Sequence, residues 1–181
     1  MTVIGTRETN VKNVISKMVN ITKPLSKAMH YTLAIIKPDI SSNSAAREAL
    51  LSIIEYEGFK IVHLKKTWLT LNMARSFYKE HEDKFFFNRL VTFMSSSPIY
   101  VAILLKKDAI RSWRSLIGPT SVYKTIYHNP DCLRARFGLT DTRNAVHGSS
   151  SDEEATREVG FFFPNVRLDA LNIEEGQSDG T

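Results

Sequence analysis

With 181 residues, 43% of them apolar, the chain suits one globular domain flanked by tails. No apolar run approaches the length of a membrane span, and the single cysteine, Cys132, excludes an internal disulfide or a Cys-based zinc site and fits a reducing compartment. The net charge of +5 belongs mostly to residues 1–30, where Arg7, Lys12, Lys17, Lys23 and Lys27 stand against Glu8; no dense basic stripe interleaved with aromatics crosses the remainder, which argues against nucleic acid as a partner.

In residues 1–30, Val11, Val14, Ile15, Met18 and Val19 fall on one helical face before Pro24 breaks the pattern. A basic, hydroxylated and nearly acid-free amphipathic extension of this kind points to a mitochondrial presequence, with a cytoplasmic protein carrying a docked or loose extension as the alternative. The domain proper is expected over 31–166. Tyr31 to Ile36 reads as a strand buried on both faces and ended by Lys37-Pro38-Asp39. A helix over 43–57 turns Ala46, Leu50, Ile53 and Ile54 inward, with Gly58 as its C-terminal cap. A second strand spans 59–69, partly solvated at Lys65 and Lys66. From Asn72 to Met94 the period is helical with a break near 82–84, which predicts two helices at an angle.

A third strand is expected over 98–105, then a helix capped by Asp108 and ended by Gly118-Pro119. Residues 120–138 read as a long irregular segment, too long for a mere connector. Ala145 to Gly148 supplies the fourth strand, and a last helix starts at Ser150 or Ser151, turns Ala155, Val159 and Phe162 or Phe163 inward, and stops at Pro164. This order matches an α+β, ferredoxin-like sandwich with a four-stranded antiparallel sheet. Residues 167–181 read as a polar, acidic tail.

The stretch richest in chemistry runs from Thr142 to Phe163. His147 ends a short apolar run, and Gly148 with three serines leads into an acidic helix in which Ser151 and Glu154 have capping-box spacing. Glu158 lies eleven residues after the histidine, from where a carboxylate can fold back on the ring. An imidazole held through one nitrogen presents the other as a nucleophile near neutral pH. There is no Gly-rich phosphate loop, so phosphates, if bound, need side chains, and Arg114, Thr120, Arg134, Arg143 and Asn144 are the candidates. Phe77, Tyr78, Phe85, Phe86 and Phe87 form the aromatic centre; most belong to the core, while one or two at the helix break suit stacking on a ligand base.

The run RNAVHGSSS with its acidic helix resembles the signature of nucleoside diphosphate kinases. AIIKPD (34–39), FYKEHEDKFFFNRLVTFMSSSP (77–98), WRSLIGPT (113–120) and LRARFG (133–138) continue the match in the family's order, and FGLTDTRN with GPT looks most like the divergent type 6 members. The resemblance implies that His147 takes a γ-phosphate from a nucleoside triphosphate and passes it to a diphosphate. It also implies that Glu158 and Ser149 fix the ring, that Tyr78 approaches it by hydrogen bonding, and that Lys37 reaches the ribose and the transferred phosphate. Asn144 would hold the sugar, Phe86 would stack on the base with Leu90 bordering it, and Arg114, Thr120 and Arg134 would contact the phosphates. Mg²⁺ would arrive with the nucleotide. A homo-oligomer or a protein partner is implied as well. Ser150 stands where the family usually has Asp, Phe85 replaces a frequent Pro, and the segment 120–134 is about three residues longer than is common, as loops allow. A weakly active partner subunit that keeps the nucleotide pocket is the alternative, and a single-stranded RNA binder on the same sandwich is opposed by the lack of its aromatic motif.

Overall fold

The computed structural model describes residues 30–171 of the chain. The amphipathic pattern over 11–19, the presequence reading built on it and residues 172–181 lie outside the described residues. Four strands, β1 (His30–Ile36), β2 (Lys60–Thr67), β3 (Ile99–Lys106) and β4 (Val146–Gly148), form one sheet in the order β2-β3-β1-β4. Every neighbouring pair is antiparallel, and Ile35 of β1 pairs with His147 of β4. The helices are α1 (Pro38–Ser41), α2 (Ser44–Tyr56), α3 (Leu71–Phe77), α4 (Phe87–Met94), α5 (Ala109–Ile117), α6 (Val122–His128), α7 (Leu133–Phe137) and α8 (Asp152–Phe162), with 3-10 turns at Lys79–His81 and Leu168–Leu171. Among the described residues, no helix is long and apolar enough to cross a membrane.

Because side chains alternate along a strand, β1 builds two cores at once. Leu33 and Ile35 join Val101 and Ile103 under Phe77, Phe87, Val159 and Phe162 of α3, α4 and α8. Ala34 and Ile36 join Ala102 and Leu104 under Leu50, Ile54, Trp113 and Ile117 of α2 and α5. The sheet is therefore covered on both faces, and β1 and β3 carry the nearly continuous apolar runs this requires. Asn43 caps α2 by accepting the Ala46 amide, and Ser151 caps α8 by accepting that of Glu154.

Three expectations need correction. The segment 120–138 is not irregular but holds α6 and α7. Its helical period is masked because Val122 and Thr125 are buried while Tyr123, Ile126 and Tyr127 stand exposed, leaving α6 without an apolar stripe. Asp108 precedes α5 in a left-handed conformation (φ 51°) and makes no side-chain cap. The fourth strand starts at Val146 and not at Ala145, whose φ of 67° is incompatible with a strand. At the start of the expected polar tail, Leu168–Leu171 form a 3-10 turn whose Leu171 is buried against the β1 core.

Replacing Ser151 with Ala should remove the α8 cap and cost about 1 kcal/mol, read in a thermal melt as a fall of about 3 °C for a domain of this size.

Candidate active site

His147 leaves β4 on the face covered by α3 and α8, opposite Ile35 of β1. Its ring meets Phe77 and Tyr78 edge-on, with centroids 5.6 Å and 6.2 Å apart, and the side chain keeps 18% exposure. Nε2 lies 2.8 Å from Oε1 of Glu158, one of the buried residues of α8. The other carboxylate oxygen accepts a 2.6 Å bond from Ser149 Oγ, which in turn accepts the Leu33 amide at 3.1 Å. The carboxylate is thus pinned to both the ring and the central strand, and Nδ1 is the ring nitrogen left over.

The backbone that delivers His147 is clamped one peptide at a time. Trp113 Nε1 donates to the His147 carbonyl at 3.0 Å, Arg134 Nη2 to that of Val146 at 3.0 Å, and the Lys37 amide to that of Ala145 at 2.8 Å. Asp39 Oδ2 accepts the Ala145 amide at 2.9 Å. The Val146 amide donates to the Asn144 carbonyl at 2.8 Å, and with φ of 67° at Ala145 this is a γ-turn of the strained hand.

The cationic side is formed by Lys37, Arg134 and Arg114. Lys37 is buried at the end of β1, where Nζ donates to Asn144 Oδ1 at 2.6 Å. Burial, and then the charge of Arg134, push its pKa down to about 7, against a pull from Asp39. Arg134 is lowered to about 10 by burial and by the neighbouring Arg114 guanidinium. It spends two N–H groups on the carbonyls of Gly118 and Val146, and its buried Nε–H has no partner among the described residues. Asn144 donates to the carbonyls of Asp141 at 2.8 Å and Thr120 at 3.4 Å, which ties the exposed Thr120 to the group. Arg114 is exposed and borders a cleft of about 500 Å³ shared with Ser150 and Ser151.

Tyr78 requires a correction. Its hydroxyl is buried with no hydrogen-bond partner among the described residues, and burial, followed by the Glu158 charge, raises its pKa. The ring is locked edge-on to Phe77 at 4.8 Å and stacked with His81 at 6.3 Å, while Glu158 already occupies Nε2 of His147. Tyr78 therefore packs against the imidazole without bonding to it. Phe86 is half-buried at the start of α4, edge-on to His81 at 5.6 Å and to Phe85 at 5.5 Å; Leu90 lies one turn further along and is buried. Phe85 itself is 92% exposed. Arg143 does not join the cations, since its guanidinium lies over the Phe93 ring beside a separate cleft of about 1010 Å³ that none of His147, Lys37 and Phe86 lines.

The arrangement offers a histidine with one ring nitrogen left over, a buried carboxylate, two buried cations with a third exposed, and a half-buried aromatic. That is the equipment of side-chain phosphate chemistry. Comparison with known proteins agrees. The family model for nucleoside diphosphate kinase matches residues 30–168. The chain belongs to the nucleoside diphosphate kinase family. It is 47% identical over 149 residues to nucleoside diphosphate kinase 6 of Danio rerio, covering 82% of this chain and 85% of that one. To nucleoside diphosphate kinase 6 of Mus musculus it is 47% identical over 139 residues, or 77% and 74%. The crystal structure of the Aquifex aeolicus nucleoside diphosphate kinase superposes with a TM-score of 0.72 at 40% identity, over 75% of this chain and 96% of that one. The α+β antiparallel sandwich is thus the fold of this family.

Reading the sequence alone misses Asp39, Trp113 and Ala145 as parts of the framework that holds the His147 backbone. Asp39 carries a signal in the Lys-Pro-Asp run at a strand end, whereas nothing in the chain pattern announces the Trp113 contact.

A methyl on Gly148 would sit 2.3 Å from Trp113 Cδ1 and 2.5 Å from its Nε1. Gly148→Ala should therefore displace the indole that holds the His147 carbonyl, and urea unfolding should show a loss of about 2 kcal/mol or more.

Proposed function

We propose that the chain moves a γ-phosphate from a nucleoside triphosphate to a nucleoside diphosphate through a phosphohistidine at His147. The 2.8 Å contact between His147 Nε2 and Glu158 Oε1, braced by Ser149, is the observation that carries the reading. With Nε2–H donating to Glu158, the Nδ1 lone pair attacks the γ-phosphorus. The bond to the β–γ bridging oxygen breaks, and its electrons leave with the diphosphate. The ring gains positive charge in that step, which the Glu158 carboxylate offsets. A terminal β-phosphate oxygen of a second diphosphate then attacks the same phosphorus, breaks the P–N bond and restores the neutral ring.

Lys37, Arg114, Thr120 and Arg134 would contact the phosphates, with charge-assisted bonds that strengthen as charge shifts to the leaving oxygen. Asn144, already bonded to Lys37, would hold the sugar. Among the described residues no cluster of His, Cys, Asp or Glu is arranged to hold a metal, and the donors around His147 are cations plus a committed carboxylate. Mg²⁺ therefore fits only as a passenger on the phosphates, where it would screen their charge. A base stacked on Phe86 beside Leu90, with Tyr78 as packing behind the ring, is held by its face, which every nucleobase has; broad base specificity follows. A protein contact, with a second copy or another chain, is supported by exposed Tyr123, Ile126 and Tyr127 on α6.

Incubation with γ-labelled ATP and Mg²⁺ should leave acid-labile, alkali-stable label on the protein, discharged by a diphosphate and lost in His147→Ala. A protein that binds nucleotide normally yet takes no label is instead the partner subunit of the alternative reading.

Lys37 adds a pH signature. With its pKa down to about 7, it is largely neutral at pH 8. Phosphate oxygens raise that pKa, so triphosphate binding at pH 8 should take up close to one proton and affinity should fall as pH rises from 7 to 9. Calorimetry in buffers of different ionisation heat reads this uptake, which should vanish in Lys37→Met.

A further inference from the structure

We infer that Asp39 is a positioning residue for phosphoryl transfer, holding the strained γ-turn at Ala145 that fixes Asn144, Lys37 and His147 relative to one another. The inference rests on the phosphohistidine reading above. Ala145 is fully buried and sits at φ 67°, where an L side chain is disfavoured and glycine is not. Such a conformation persists only when its surroundings over-determine it. At Ala145 the surroundings are two hydrogen bonds, and both come from the Lys37-Pro38-Asp39 run: the Lys37 amide takes the Ala145 carbonyl at 2.8 Å and Asp39 Oδ2 takes its amide at 2.9 Å.

On one side of this turn the Asn144 side chain meets Lys37 Nζ at 2.6 Å; on the other, two residues on, stands His147. The turn is therefore the joint between the sugar-side amide, the phosphate-side ammonium and the nucleophile. Asp39 reaches the joint across 106 residues of sequence, from a helix of four residues. Its second oxygen is buried with no partner among the described residues, so the bond to Ala145 is its hydrogen bond to another element. Burial raises its pKa, while the Ala145 amide and the Lys37 charge act in the other direction.

The test measures the rate of label transfer from γ-labelled ATP and the nucleotide KM in D39A, D39N, A145G and D39A/A145G, with melting temperatures alongside. D39A should lose roughly 10- to 100-fold in rate, the scale of misplacement by a fraction of an ångström to one ångström, with a raised KM. D39N keeps an oxygen for the Ala145 amide and should stay within about threefold of wild type. In the A145G background the positive φ carries no steric cost, and the loss caused by D39A should shrink by about fivefold or more. Three outcomes overturn the inference: D39A as fast as wild type, D39N as slow as D39A, or an equal D39A loss in both backgrounds. If D39A does not fold, restoration of fold and rate by A145G upholds the inference, and failure to restore them makes Asp39 a general stability residue and ends it. A wild-type protein that takes no label removes the phosphohistidine reading and this inference together, whereas labelled wild type with unaffected D39A removes the inference alone.

Discussion

A carboxylate exposed by only 2% is the constraint from which the site follows. Taking the charge of Glu158 out of water is costly unless its lone pairs are met, and here one oxygen is met by His147 and the other by Ser149. The second of these bonds reaches the central strand through the Leu33 amide, so the ring orientation is fixed by the core and not by the surface. Arg157 adds a weaker attraction at 3.8 Å from the same carboxylate, while its main pairing is with Glu154. The consequence is geometric: a ring nitrogen committed to a buried acid leaves the other no choice of direction.

That geometry has to be carried by β4, which has three residues and lies at the edge of the sheet. So short a strand, paired on one side, has little purchase of its own. Side chains and backbone from α5, α7 and the end of β1 supply what the ladder does not, through Trp113, Arg134 and the Lys37 amide on three successive carbonyls. Packing then closes the arrangement, because the absent side chain of Gly148 is the space in which the Trp113 indole rests. Position and chemistry are coupled here: Lys37 and Arg134, the two buried cations near the ring, are also two of the three clamps.

The fold was legible in the chain wherever one face of an element was apolar and the other polar, or where a strand was apolar throughout. β1, β3, α2 and α8 all have that property, and their capping residues, Asn43 and Ser151, stand where capping chemistry requires them. Legibility failed at α6, whose exposed Tyr123, Ile126 and Tyr127 hide its inward side, and at Ala145, whose positive φ no pattern of alanines reveals. The pairing of His147 with Glu158 was readable because eleven residues span one turn and a helical start. The clamps were not, since Trp113 lies 34 residues from the carbonyl it holds and Asp39 lies 106 from its amide. Contacts of that separation are products of the sheet order and leave no local trace.

The cations near the ring are held at a cost that points to what they are for. Burial, and then the neighbouring guanidinium, Arg134 for Lys37 and Arg114 for Arg134, hold Lys37 and Arg134 below their ordinary pKa values. Among the described residues Asp39 acts the other way on Lys37, and it is occupied with the Ala145 amide. A like-charge cluster in a low-dielectric setting is stabilised by an arriving anion more than an exposed one would be, because the anion removes repulsion as well as adding attraction. Three cations drawn from separate elements also suit several phosphate oxygens spread along a chain better than a single point charge. Under the proposed reading, that repulsion would favour a polyphosphate over a neutral ligand of equal size.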